Sequence, residues 1–123
     1  MSTYEMMIQS LSDLLENDET LKFPIYGTLL QKRKKWFGFF GLTNNYLLVA
    51  LLNDYSKSIS WTTRIPLDIK DVKTKKCLIP KQHKIYIQFN EGDLCTIRVS
   101  EKVLGIKSQE ENFFGFIKTI QKV

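Results

Sequence analysis

Seven residues constrain this chain more than any others. Tyr46-Leu-Leu-Val-Ala-Leu-Leu52 is apolar throughout and is bounded by Thr43-Asn44-Asn45 before and Asn53-Asp54 after. Even traced back to Trp36, the apolar stretch runs 17 residues and is interrupted by those polar residues. A membrane-crossing helix needs about 20 residues without such a break. Read as a strand, the segment carries apolar side chains on both faces, and both faces must be covered. A C-terminal helix can cover one. For the other, an N-terminal amphipathic helix is the first candidate and a partner subunit the second.

The flanking sequence has the period-2 pattern of a sheet. Ile85, Ile87 and Phe89 alternate with Tyr86 and Gln88, while Cys95, Ile97 and Val99 alternate with Thr96, Arg98 and Ser100. The two runs form a hairpin through Asn90-Glu-Gly-Asp93. Strands are also expected at 23–30, 37–43, 46–52, 61–65 and 69–78. Asn44-Asn45 suits a tight hairpin because asparagine tolerates positive φ. A charged turn is expected at 31–35, a polar loop at 53–60 and a turn at 80–83. Gly38 and Gly41, within the second strand, suggest a bend or a close backbone approach.

Helices close both ends. Ser2-Thr-Tyr-Glu5 and Ser108-Gln-Glu-Glu111 both match the capping box, in which hydroxyl and carboxylate satisfy free backbone donors. Tyr4, Met7, Ile8, Leu11, Leu14 and Leu15 recur at helical spacing before Asn17-Asp18, and Phe113, Phe116, Ile117 and Ile120 form a second stripe. The fold class that follows is α+β, mainly β: about seven antiparallel strands curled into a barrel or sandwich and plugged by the last helix. Residues 1–20 are read as a helix of the same domain, and 22–123 as the barrel with its helix.

Composition removes several functions. The chain has 123 residues, one domain's length. Two cysteines, Cys77 and Cys95, and one histidine, His83, cannot build a disulfide scaffold or a structural zinc set. Both cysteines read as small core hydrophobes. With no basic start, apolar run and cleavage site at the N-terminus, the chain reads as cytoplasmic with reduced thiols. The net charge is +5, unevenly spread. Residues 1–21 hold five acids and no base, 22–35 five bases and no acid, and 57–84 eight bases against Asp68 and Asp71. Such a layout points to an anionic partner or to internal acidic–basic docking.

Two segments, with the terminal helix, carry a family resemblance. Phe40-Gly-Leu-Thr-Asn-Asn-Tyr-Leu-Leu-Val49 and Arg64-Ile-Pro-Leu-Asp-Ile69 resemble the hairpin and the I-P segment of the bacterial pleckstrin-homology-like (PH-like) domains. The likeness spans roughly residues 22–122. It implies a seven-stranded, strongly bent antiparallel barrel capped at one end by the C-terminal helix, and a non-enzymatic binding or scaffolding module rather than a catalyst. In lipid-binding PH domains the first inter-strand loop carries a K-x(n)-K/R-x-R cluster. Lys32 and Lys34 fall where its first two basic residues would, while Lys35-Trp36 stands where the cluster would end.

The candidate binding residues are therefore Lys32, Arg33, Lys34, Lys35 and Trp36. Cations beside aromatics suit the surface of an anionic membrane, peripherally contacted, or another anionic macromolecule. The plainer reading is a solvated hairpin tip with Trp36 and Phe37 in the core. A second basic zone, Lys70 to Lys84, lacks the interleaved aromatics of single-strand binding, so specific nucleic-acid recognition is not expected. His83 reads as a surface-turn residue, since no nucleophile setting accompanies it. Gly105-Ile-Lys-Ser108 reads as a turn and helix cap. No catalytic residue, metal, cofactor or small-molecule substrate is expected. The alternative is protein–protein interaction or self-association through a sheet edge or the N-terminal helix.

Overall fold

The computed structural model describes residues 2–53 and 58–123, so half of the polar loop expected at 53–60 lies outside the described residues. Helix α1 (Thr3–Ser12) is followed by strands β1 (Lys22–Gln31), β2 (Lys34–Leu42), β3 (Tyr46–Leu52), β4 (Ile59–Pro66), β5 (Ile69–Lys76), β6 (Gln82–Phe89) and β7 (Leu94–Ser100), and then by helix α2 (Gln109–Gln121). The seven strands form one antiparallel sheet in the order β4-β3-β2-β1-β7-β6-β5. β1 is the hinge of the sheet, pairing with β2 on one side and, through Thr28–Leu30, with β7 on the other. This is the α+β architecture, mainly β, that the alternation implied, with the seven antiparallel strands and closing helix that the PH-like resemblance implied.

The sheet bends around a core of inward-facing residues. Phe40 and Leu42 of β2, Leu47 and Val49 of β3, and Ile85, Ile87, Ile97 and Val99 of β6 and β7 meet Phe113, Phe116 and Ile120 of α2. Gln109 fixes the start of α2: its amide accepts from the Tyr26 N–H at 3.0 Å and donates to the carbonyls of Tyr26 (2.8 Å) and Ser100 (3.0 Å). These bonds satisfy backbone groups that would otherwise be stranded where β1 and β7 diverge. Ser108 occupies the N-cap, but its hydroxyl is buried with no hydrogen-bond partner, so the capping box expected there does not form. Gln109 has taken over the anchoring.

The outer face of β3 is covered in cis. Met7 and Leu11 of α1 pack with Phe39, Leu48, Ala50 and Leu52 into a second core on the far side of the sheet. Here the capping box holds: Ser2 Oγ accepts from the Glu5 N–H, and Glu5 accepts from the Ser2 N–H, each at 3.1 Å. α1 ends at Ser12, before Asn17-Asp18, and Leu14, Leu15 and Leu21 continue the apolar layer from the following turns. Arg64 pins this segment to β4. Its guanidinium donates to the Leu14 carbonyl (2.9 Å), to Glu16 (3.1 Å) and to both oxygens of Glu19, and stacks 4.2 Å from the Tyr46 ring. Part of the acidic N-terminal segment is thus neutralised inside the molecule.

Candidate functional site

The candidate basic residues sit at the end of the barrel away from α2. Only Lys32 and Arg33 form the turn; Lys34 and Lys35 already belong to β2. Lys32 takes φ 49° to close it. Strand alternation then divides the run. Lys34, opposite Gln31, shares the inner face with Trp36, opposite Leu29, and its ammonium lies 5.9 Å from the Trp36 ring centroid. Lys35, opposite Leu30, shares the outer face with Phe37. All four cations are exposed, and none makes an ion pair among the described residues.

Trp36 is half-buried and packs against the inner core, while Phe37 remains 45% exposed. The expected tip is therefore real, but its two aromatics part company: Trp36 turns inward and Phe37 outward.

Beneath the tip the sheet is open, because β4 and β5 end the strand order without pairing. A cleft of about 770 Å³ fills the gap. Leu29, Trp36, Val49, Leu51, Trp61 and Phe89 give it apolar walls, and Asp68, Glu91 and Asp93 also line it. Its far wall is tied across the β4–β5 corner by Asn90, whose side chain donates to Asp68 Oδ1 at 2.6 Å and whose N–H donates to the Asp68 carbonyl at 2.9 Å. Trp61 was not singled out in the sequence. It lies on the inner face because it pairs with Leu51, a register that only the assembled ladder reveals. Both tryptophans of the chain thus border one cleft.

His83 is not a surface-turn residue. It belongs to β6, faces inward opposite Val99, and is 8% exposed. Its ring tilts against Phe113 with centroids 4.8 Å apart, and Nε2 lies 2.6 Å from Glu101 Oε2. The polar neighbours in sequence concealed this because β6 starts at Gln82, earlier than the alternation of apolar residues suggested. The ring fills space between the sheet and α2, and it borders neither the cleft nor a nucleophile.

Neither cysteine presents a reactive thiolate at the cleft. Burial pushes the Cys95 thiol up to about 11, which keeps it protonated at neutral pH. Cys77 is half-buried at the opposite end of the sheet. Among the described residues no three His, Cys, Asp or Glu side chains come together to hold a metal ion, and no helix is long and apolar enough to cross a membrane.

No protein-family model matches the chain, and no curated protein matches it significantly. Solved structures do. The chain is similar to the C-terminal domain of an unknown protein from Leishmania infantum, with TM-score 0.64, 14% identity, and 95% of this chain and 96% of that one covered. It is similar also to the hSac2 domain of the human phosphoinositide phosphatase Sac2, with TM-score 0.60, 14% identity, and 97% and 79% covered. A linker-DH/PH fragment of p115-RhoGEF matches with TM-score 0.49 and 17% identity over 95% of this chain and 33% of that one. At these identities the likeness to the Leishmania infantum domain and to the hSac2 domain is one of fold.

Proposed function

We propose that the protein is a non-enzymatic binding module whose open end contacts an anionic macromolecule through Lys32, Arg33, Lys34 and Lys35, with Trp36 supporting the tip from inside. One observation carries this reading: four consecutive cations at one hairpin tip are exposed and make no ion pair among the described residues, whereas Arg64 is neutralised by Glu16 and Glu19. The cleft wall opposite the tip includes Glu91 and Asp93. A flat anionic bilayer laid across this end would press on those carboxylates as well as on the lysines. A discrete acidic segment of a protein can follow the tip alone, and it is the favoured partner here.

Titration of the protein with an oligo-glutamate peptide, followed by tryptophan fluorescence at low and moderate salt, tests the reading. Binding that weakens with salt and disappears when Lys32–Lys35 are changed to serine supports it. Equal binding by that variant removes it, and binding of that end to anionic vesicles in preference to the peptide would return the membrane as its partner.

Self-association through a sheet edge is the second reading, favoured by the unpaired outer edges of β4 and β5. α1 gives it no support, since its apolar face is already used in cis.

A further inference from the structure

The other end of the barrel carries a different surface. The turn between β5 and β6 places Leu78 fully in solvent and leaves Ile79 57% exposed. Beyond β7, the turn closed by the Val103–Ile106 bridge raises Leu104 to 99% exposure. Both turns leave the same end of the sheet, because Gln82 pairs with Ser100. They are joined by the Glu101 N–H, which donates to the Lys81 carbonyl at 2.8 Å.

Neither tip is a loose loop. Cys77 donates to the Gln82 carbonyl at 2.8 Å, and Lys81 holds φ 64° to close the first turn. In the second, Gly105 takes φ 87°, and Ile106, two residues after the exposed Leu104, is buried in the outer core. Solvated turns are ordinarily built from polar residues and glycine. Here two formed turns hold up three aliphatic side chains instead.

Their surroundings identify what meets them. Lys75, Lys76 and Lys81 flank Leu78 and Ile79, and Lys102 and Lys107 flank Leu104; all five are exposed. Across 75–81 and 101–107 the one acid is Glu101, and its carboxylate is turned in to His83. Apolar tips flanked in sequence by exposed cations, with no free carboxylate in either turn, are complementary to a lipid bilayer with anionic headgroups. Lysines gain energy at the charged surface while aliphatic side chains enter the headgroup–acyl boundary. An acidic protein groove would pair with the lysines but would leave the projecting leucines without a matching partner.

We infer that Leu78, Ile79 and Leu104, with Lys75, Lys76, Lys81, Lys102 and Lys107, form a peripheral docking surface for an anionic membrane. The surface lies at the helix-capped end, opposite the Lys32–Lys35 tip, so it stands apart from the function proposed above. Together the two would let the module rest on a bilayer by one end while its open end faces a partner.

Cys77 makes the test direct, because it adjoins Leu78. The full chain carrying Cys95→Ala is labelled at Cys77 with an environment-sensitive fluorophore. It is then mixed with phosphatidylcholine vesicles with or without phosphatidylglycerol, and unlabelled protein is sedimented with the same vesicles. A blue-shifted, brighter signal confined to phosphatidylglycerol vesicles is expected. Leu78→Ser with Ile79→Ser should lower vesicle partitioning by on the order of tenfold, as burial of an aliphatic side chain implies. Changing Lys32–Lys35 to serine should leave it within about twofold, since those exposed charges lie well over a Debye length away. No spectral change on phosphatidylglycerol vesicles, or unaltered partitioning of the Leu78–Ile79 variant, overturns the inference. Loss through the Lys32–Lys35 variant alone overturns it too, and moves membrane contact to the open end. Leu104→Ser, on the separate turn, should weaken partitioning in the same direction, which guards against a folding defect in the first variant.

Discussion

The Phe23 ring lies over the bare Cα of Gly115, where a Cβ would sit 2.3 Å from its Cε1 atom. Phe23 reaches that position from a φ of 50°, at the irregularity in the β1–β2 pairing between Lys22 and Ile25. The strand is thus bent so that an aromatic can close on α2, and α2 has a glycine to receive it. Gly115→Ala should destabilise the fold by roughly 1–3 kcal/mol through overpacking. In chemical denaturation the cost should shrink when Phe23→Ala is present as well, because the clash is then gone. Additive losses in that double-mutant cycle would show that the two residues do not act as a pair.

Glu19 gives an acid-stability signature. Hydrogen bonds from Arg64, and then from the Glu16 N–H, hold its carboxyl down from an ordinary 4.5 to about 2. A group whose folded value is depressed contributes stability above the unfolded value and loses it as pH falls through the folded one. Thermal melts should therefore show the native chain losing stability between about pH 4.5 and 2 more steeply than Glu19→Gln does. Parallel pH profiles for the two would mean that the Arg64 contact contributes nothing in solution.

Leu11→Ala tests the outer core. The residue is fully buried against β2 and β3, so its truncation should cost about 2–5 kcal/mol. Removing residues 1–17 should go further and uncover Phe39, Leu48 and Leu52, with self-association visible by light scattering. A truncated chain that stays monomeric and equally stable would contradict the two-core description.

Two adjacent residues at the start of α2 should behave oppositely. Gln109→Ala leaves three backbone groups of Tyr26 and Ser100 without their partner and should cost roughly 3 kcal/mol. Ser108→Ala removes a buried hydroxyl that has no partner, so it should be neutral or stabilising by up to about 1 kcal/mol. Denaturation midpoints of the two variants decide this, and a large loss at Ser108 would indicate that its hydroxyl is satisfied after all.

The strands themselves were legible because burial writes itself into period-2 patterns. Tyr46–Leu52 announced two covered faces, and the structure supplies a separate core for each. What stayed hidden was whatever depends on register. Trp61 becomes a cleft residue only by pairing with Leu51, and His83 becomes a core residue only because β6 begins one residue before it. The lysine run looked like one site, yet alternation sends Lys34 and Lys35 to opposite faces. At Ser108 a sequence motif met a competing bond: the long Gln109 amide reaches backbone groups that the serine hydroxyl does not.

Having a packed layer on either side of β2 and β3 has a consequence for how the chain can change over time. At Phe39–Leu42 and Leu47–Leu52 there is no free side on which substitutions can accumulate harmlessly. β5 has most of its side chains in water. Descendants of this sequence should therefore keep the middle of the sheet nearly fixed while the β5 edge drifts, and any exposed position that resists that drift is under selection for something other than folding.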